Sequence, residues 1–514
     1  MNTETSPNKR IWLCVFGTPP KFSLTAGLQI RSERYMPLVA LKGFKKMKKI
    51  KYRQKKYKPL LVREEALLDY KVHQDIVNNN LKGIKKDYGI FFTPERIVDF
   101  MVNLIDVTKY IDKKDITILE PACGLAQFLI GIKRNRAALF KQAKLFGVEI
   151  NRDVINYLAT LNIGNNIKII KDDYLLWEPK SSFDLVIGNP PYGIPSLSEH
   201  YTIKIDHATK EKYKSQYETW FGKYNVYGAF IEKSIKLLRA EGQLIFVVPA
   251  TFMILDEFKK LRTFLSQNGG TAIIYLGPEV FKPEVDVSSV VLNFIKSDKF
   301  TSRLELLEYY DNKISMIKVN PHWQGEIVKF ETDYTRTIES ICSFLLGDIY
   351  EISISPRTPE IKNSSYIAKE RPLREGSYLP ILNGRNLKCN EVIYKNLTGY
   401  WIKKLDVKKL PRYFGMPHIV VGLGFRGNGR VGAAIDEKYY PWMGDVYHLL
   451  RKNDLLNRSF DLNDLEVVEY LNSDYLKKYV KDTYREITYH LSITQLKKFP
   501  APTKKELKII KENL

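Results

Sequence analysis

The chain has little that would suit it to an oxidising compartment, a metal centre or a membrane. Its four cysteines, Cys14, Cys123, Cys342 and Cys389, lie far apart and form no C-x-x-C pair. That excludes a disulfide framework and a cysteine-based zinc site, so a reducing, cytoplasmic setting and no metal are expected. Long apolar runs are missing too. The longest mostly apolar stretch, Leu244 to Leu255, is interrupted by Pro249 and falls short of the roughly 18 residues of a membrane-spanning helix. Near the start, Ile11 to Phe16 is too short to be the core of a secretory signal, which runs to roughly 7 to 15 residues. Negative charge is scarce: 58 acidic residues face 81 lysines and arginines, a formal net charge of +23. A surface this basic favours an extended polyanion such as nucleic acid.

Two further absences narrow the chemistry. There is no G-x-G-x-x-G and no G-x-x-x-x-G-K-[ST], which disfavours a dinucleotide or a nucleoside triphosphate. No histidine occurs between Lys113 and Glu199, so an imidazole base is not expected in that span.

From about residue 89, strand-like and helix-like segments alternate. "PERIVDFMVNLI" reads as a helix, "ITILEPA" as a strand, "GLAQFLIGIKRNRAALF" as a helix and "KLFGVEI" as a strand. "RDVINYLATLNI" (helix), "NIKIIKDDY" and "FDLVIGNPPY" (strands), "GAFIEKSIKLLRA" (helix), "GQLIFVVPA" (strand) and "DEFKKLRTFLSQ" (helix) continue the series. The pattern predicts an α/β fold with an open, mostly parallel sheet covered on both faces, and a ligand beyond the carboxyl ends of its strands. Past about 330 the alternation is lost, which marks a second, α+β domain. The expected organisation is a poorly ordered extension over 1–46, a basic segment over 47–88, a catalytic domain over 89–329 and a second domain over 330–514, with a basic run from Lys45 to Lys58 across the first boundary.

Strand ends carry the candidate chemistry. Gly124, in "EPACGLAQF" after the first strand, lets backbone approach a ligand. Glu149 ends the next strand, 25 residues on, near the spacing at which an acid binds ribose hydroxyls. Asp173 ends the third, where it can accept from an adenine amino group. Each acid alone is more often a cap or a solvated strand end. Together they suit an adenosine-containing cofactor without a phosphate chain, and S-adenosylmethionine fits.

The fourth strand runs into Asn189, Pro190, Pro191 and Tyr192. A pattern of this kind arises by chance in about one or two of every hundred chains this long, so its position at the fourth strand end is what makes it informative. An exocyclic amine is a poor nucleophile because its lone pair is delocalised into the ring. Acceptors on its hydrogens, the Asn189 side-chain oxygen and the Pro190 carbonyl, would localise that pair during attack on a methyl group. The prolines stiffen the lip and remove competing donors. Tyr192 can stack on a base and face a sulfonium cation. A base inside a duplex must be flipped out to reach such a lip, and Phe281 is a candidate second wall.

In the order "GIFFTPERIVDFMV", "ILEPACG", "DYLLWEP", "FDLVIGNPPYGI", "KYNVYGAFIEKSIKLL" and "FVVPATF", the chain resembles the γ-class N6-adenine DNA methyltransferases of the TaqI type. The similarity continues through "GEIVKFET", "LNGRNLK", "YYPW" and "YHLSITQLKKFP", covering nearly everything after about residue 85. The resemblance implies that Thr93 and Pro94 contact the methionine part of the cofactor, and that Glu120, with Pro121, Ala122, Cys123 and Gly124, forms the cofactor loop. It implies further that Glu149 binds ribose, that Asp173, Tyr174 and Phe230 bind the cofactor's adenine, and that Asn189, Pro190, Pro191, Tyr192 and Phe281 serve catalysis. One residue more than in the family stands after Phe281. Double-stranded DNA is the implied partner, read by residues 330–514 within TCGA or a longer site containing it. Arg385, Lys388, Arg426, Arg430 and Arg485 are the physical candidates for its contacts, and "GLGFRGNGR" departs from the family pattern.

The same lip chemistry serves protein glutamine and cytosine N4. The basic C-terminal half opposes the first, and Asn189 rather than serine opposes the second. An inactive DNA-binding protein or the specificity part of a larger restriction assembly is the alternative of a different class. No nuclease constellation stands out in the first 85 residues, so modification by a monomer, with any cognate nuclease encoded separately, is expected.

Overall fold

The computed structural model describes residues 93–513 except 160, 162, 196–202, 204, 283–286, 298, 300–301, 370–374, 423, 425–428, 445, 454–458, 486 and 489. The expectations for 1–46, 47–88 and Arg426 lie outside the described residues.

A nine-stranded sheet organises the first part. Its strands are β1 (Thr117–Pro121), β2 (Lys144–Glu149), β3 (Ile167–Lys171), β4 (Phe183–Gly188), β5 (Leu238–Pro249), β6 (Gly269–Gly277), β7 (Ser289–Lys296), β8 (Leu304–Tyr310) and β9 (Lys313–Asn320). The spatial order is β3-β2-β1-β4-β5-β7-β6-β8-β9. Strands β1 to β5 pair in parallel, whereas β7 runs antiparallel between β5 and β6.

The apolar runs of β1 and β4 are buried along their whole length, as parallel strands covered on two faces must be. Strand periodicity divides them. Leu119, Val186 and Phe246 join one core layer, and Ile118, Leu185 and Ile245 join the other. The second layer is closed by α1 (Glu95–Asn103), α2 (Gln127–Asn135), α3 (Ala137–Gln142) and α4 (Arg152–Leu158), and the first by α5 (His207–Gln216), α6 (Tyr227–Leu237) and α7 (Lys259–Asn268). Strand order reverses between β1 and β4, so a crevice opens beyond their carboxyl ends.

Two sequence expectations are corrected here. The helix expected over 124–140 is two helices, because Arg136 leaves the helical region at φ −138°, ψ 52°. The helix expected over 228–240 stops at Leu237, and Leu238–Ala240 begin β5. A register shift between Phe183 and Leu185 accommodates them, with Glu241 at φ 59°, which is how a bulge absorbs extra residues.

The chain leaves the sheet at Asn320 and continues through α8 (Asp333–Ile341). A four-stranded antiparallel sheet follows, β10 (Tyr350–Ile354), β11 (His418–Gly422), β12 (Ala433–Asp436) and β13 (Val446–Arg451), in the order β10-β13-β11-β12. Helices α9 (Asp464–Leu471) and α10 (Asp474–Tyr484) pack beside it. One apolar core runs from Phe246 and Val248 through Phe330 to Tyr447 and Tyr484, and backbone bonds Val328 N to Met253 O and Phe330 N to Thr483 O (both 2.9 Å) tie the parts together. Among the described residues no helix is long and apolar enough to cross a membrane, and no cluster of histidine, cysteine and acidic side chains could hold a metal.

Candidate active site

One cleft lies at the carboxyl ends of β1 to β4, and Thr93, Glu120, Glu149, Asp173, Phe230 and Asn189 all line it. Residues from Thr93 to Phe230 converge because Glu120, Glu149, Asp173 and Asn189 each stand at or just past the end of a parallel strand, with Thr93 before α1 and Phe230 on α6 beside them.

After β1 the backbone alternates through left-handed residues Ala122 (φ 51°), Gly124 (φ 52°) and Ala126 (φ 59°). A Cβ on Gly124 would meet nothing within 4 Å, so glycine serves conformation there and leaves open space toward the cleft. Glu120 is buried, and its carboxyl accepts from Phe128 N (3.3 Å) and Leu129 N (3.1 Å) at the start of α2. Burial nevertheless pushes that carboxyl up to about 8, because desolvation outweighs two amide bonds. Glu149 receives Gly124 N (2.9 Å) on one oxygen and Asn151 N (2.8 Å) on the other, and burial raises its pKa as well. Both buried acids are in the lining of the cleft.

Thr93 is held by a residue the sequence reading missed. Gln127 accepts from Thr93 N (3.3 Å) and donates to Thr93 O (3.2 Å). Pro94 stands just outside, its carbonyl accepting from Ile97 and Val98 at the start of α1. Cys123 is buried in the lining, and its thiol packs where a side chain on Gly147 would otherwise stand. At the third strand end Asp173 accepts from Leu175 N (3.0 Å) and from the Tyr213 hydroxyl of α5 (2.6 Å). Tyr213 was also missed, since nothing in local spacing links it to Asp173. Tyr174 and Phe230 rings lie 4.9 Å apart, with the Tyr174 hydroxyl 2.8 Å from Ser234 Oγ. This apolar pair beside a carboxylate suits a purine with an amino donor.

The lip follows β4. Asn189, Pro190 and Pro191 line the cleft, whereas Tyr192 is 9% exposed and turned inward. Its phenol meets Asn189 Oδ1 and lies 3.0 Å from Val247 O. Phe281 is buried behind it, the two rings edge to face at 6.2 Å and 80°. The expectation of two walls facing one another across a base therefore differs from the observed geometry. The two rings make the edge contact that aromatic quadrupoles favour.

The four basic candidates among the described residues each have a protein partner. Arg385 is exposed and donates to Leu397 O, Lys388 is exposed beside Glu391 at 3.7 Å, and Arg430 pairs with Asp474 at 2.9 Å. Arg485 is turned inward to Glu308.

Comparison with known proteins accords with this arrangement. Residues 107–281 match the Eco57I restriction-modification methylase family, and residues 379–501 match the TaqI-like C-terminal specificity domain. The type II methyltransferase M.TthHB8I of Thermus thermophilus is 39% identical over 418 residues, spanning 81% of this chain and 91% of that one. The type II methyltransferase M.HincII of Haemophilus influenzae is 31% identical over 216 residues, 41% of this chain and 38% of that one. In fold, a nuclease-deletion mutant of the type ISP restriction-modification enzyme LlaGI, solved with a DNA substrate mimic, is similar at a TM-score of 0.53 and 15% identity. That match covers 86% of this chain and 47% of that one. The chain is thus a member of the type II restriction-modification DNA methyltransferases with a TaqI-like specificity domain.

Proposed function

We propose that the protein methylates N6 of an adenine flipped out of duplex DNA, within TCGA or a longer site containing it, and thereby protects DNA from a separately encoded nuclease. The observation that carries this reading is the place of Asn189: its amide stands at the end of β4 in the same cleft as Glu149 and Asp173. Residues 89–329 carry the chemistry and 330–514 recognise the target.

S-adenosylmethionine supplies an electrophilic methyl group when bound. Thr93, with the Glu120 loop, would hold its methionine part, Glu149 its ribose, and Asp173, Tyr174 and Phe230 its adenine. Asn189 Oδ1 and the Pro190 carbonyl accept the two amino hydrogens of the target base, which localises the nitrogen lone pair and prepares it for attack. For this the Tyr192 phenol gives up Asn189 and its ring turns to stack on the base. The amino proton leaves to water after transfer.

The test uses tritiated S-adenosylmethionine with duplexes containing TCGA, extended variants and scrambled controls, comparing the wild type with Asn189→Ala. Label in N6-methyladenine within TCGA, lost in the variant while cofactor still binds, is expected. Label in N4-methylcytosine, or none in any duplex despite bound cofactor, would overturn the reading.

A further inference from the structure

Arg485 follows the last turn of α10 with a positive φ of 49°, a conformation a non-glycine residue keeps only where its surroundings hold it. The surroundings are specific. Glu308 on β8 accepts from both Nη1 and Nη2, the second at 3.4 Å. The guanidinium lies 4.0 Å from the Phe330 ring centre and 5.1 Å from that of Tyr275, and those rings meet edge to face at 5.0 Å. Phe330 N bonds to Thr483 O, two residues before Arg485, in α10. Tyr275 belongs to β6, and its hydroxyl lies 3.4 Å from Ser288 Oγ, while the Ser288 carbonyl accepts from Ala250 N (2.8 Å). Ser288 immediately precedes β7, and the stretch from β6 to β7 carries Phe281, the ring behind Tyr192.

We propose that Arg485 is a positioning residue, not a DNA contact: it locks the end of α10 onto strands β6 and β8 of the nine-stranded sheet and braces Tyr275 and, through it, Ser288, at the two strands flanking Phe281. A planar guanidinium suits this place because it forks onto a carboxylate while its plane packs on rings, which lysine cannot reproduce. Two of its five N–H donors are directed to Glu308 and its plane packs on Phe330, which fixes the guanidinium facing the protein. The clamp would transmit the seating of the C-terminal part on DNA to the base pocket, and in that it rests on the function proposed above.

Glu308 makes the test decisive. On charge alone, Glu308→Gln makes the protein more basic and strengthens DNA binding. A broken clamp has the opposite effect on turnover. Wild type, Arg485→Ala, Arg485→Lys, Glu308→Gln and the Arg485→Ala/Glu308→Gln double variant are compared in kcat/KM for duplex methylation, in the slope of log Kd for duplex against log salt, and in Tm. Both Arg485→Ala and Glu308→Gln are expected to lower kcat/KM by about tenfold, with the double variant no worse than either and the salt slope unchanged. Arg485→Lys falls with them. A salt slope reduced by about one in Arg485→Ala, with Glu308→Gln at or above wild type, would make Arg485 a phosphate contact and overturn the proposal. Should the wild type methylate no duplex, the function proposed above fails, and the Tm values still decide the clamp: non-additive losses uphold it and additive losses sink it.

Discussion

The Tyr213 hydroxyl donates to Asp173 Oδ2 at 2.6 Å, joining α5 to the end of β3 inside the cofactor cleft. Burial, followed by the Asp173 charge, holds the phenol protonated, so it is a donor at every working pH. Tyr213→Phe removes that bond and loosens the acceptor assigned to the cofactor's adenine. We expect the Kd for S-adenosylmethionine to rise about three- to tenfold, with kcat at saturation nearly unchanged, as calorimetry and initial rates can show. A fall in kcat at unaltered Kd would place Tyr213 on the target side instead.

The phenol of Tyr192 occupies Asn189 Oδ1, the atom proposed to receive the target amine. If the ring matters for stacking and the phenol only for its bond to Asn189, Tyr192→Phe should retain kcat/KM within a few fold. Tyr192→Ala should lose about a hundredfold or more, since base–aromatic stacking contributes roughly 1–3 kcal/mol and the alanine variant also leaves the base unsupported. Equal damage in both variants would show that the phenol takes part in the chemistry.

Stability of the cofactor-free protein should depend on Glu120. Its folded pKa, pushed by burial to about 8 from an ordinary 4.5, means that the folded form binds more protons than the unfolded form between those values. Stability therefore falls as pH rises through that window. Glu149, raised in the same direction, adds to the slope. Melting curves from about pH 5 to 8.5 should show Tm declining for the wild type and declining less for Glu120→Gln. Parallel curves would mean that Glu120 is ionised in the folded state.

A buried relay in the C-terminal sheet makes the opposite prediction at acid pH. His418 Nδ1 donates to Met416 O (2.7 Å), His418 Nε2 meets His448 Nδ1 (2.7 Å), and His448 Nε2 meets Ser355 Oγ (2.8 Å). Burial lowers both imidazoles, so the unfolded chain takes up protons first and stability is lost as pH falls below about 6.5. Asp436, accepting from Trp442 Nε1 and the Tyr394 hydroxyl, is raised by burial and acts against this trend, but it is one group against two. Amide exchange of β11 and β13 should accelerate between about pH 6.5 and 5. Unchanged protection of those strands would sink the assignment.

Much of the catalytic part was legible because its signals are local. Apolar runs mark β1 to β5, and in a parallel sheet each strand end meets the same crevice, so Gly124, Glu149, Asp173 and Asn189 could be placed by order alone, whereas Glu120 came only from the family resemblance. What order cannot convey is a contact between distant segments. Arg485 read as a nucleic-acid arginine because charge is visible in sequence, whereas its partner Glu308 lies 177 residues away. Gln127 and Tyr213 were invisible for the same reason, standing 34 and 40 residues from the groups they hold. The break at Arg136 and the antiparallel insertion of β7 escaped a periodicity that reports burial but not direction. By itself, then, the sequence determined the layered parallel sheet and the chemistry presented at its strand ends, since periodicity and strand polarity follow from the backbone. Only the tertiary structure decided which side chains orient those groups and how the two parts of the chain are braced, because that depends on packing between segments that share no local pattern.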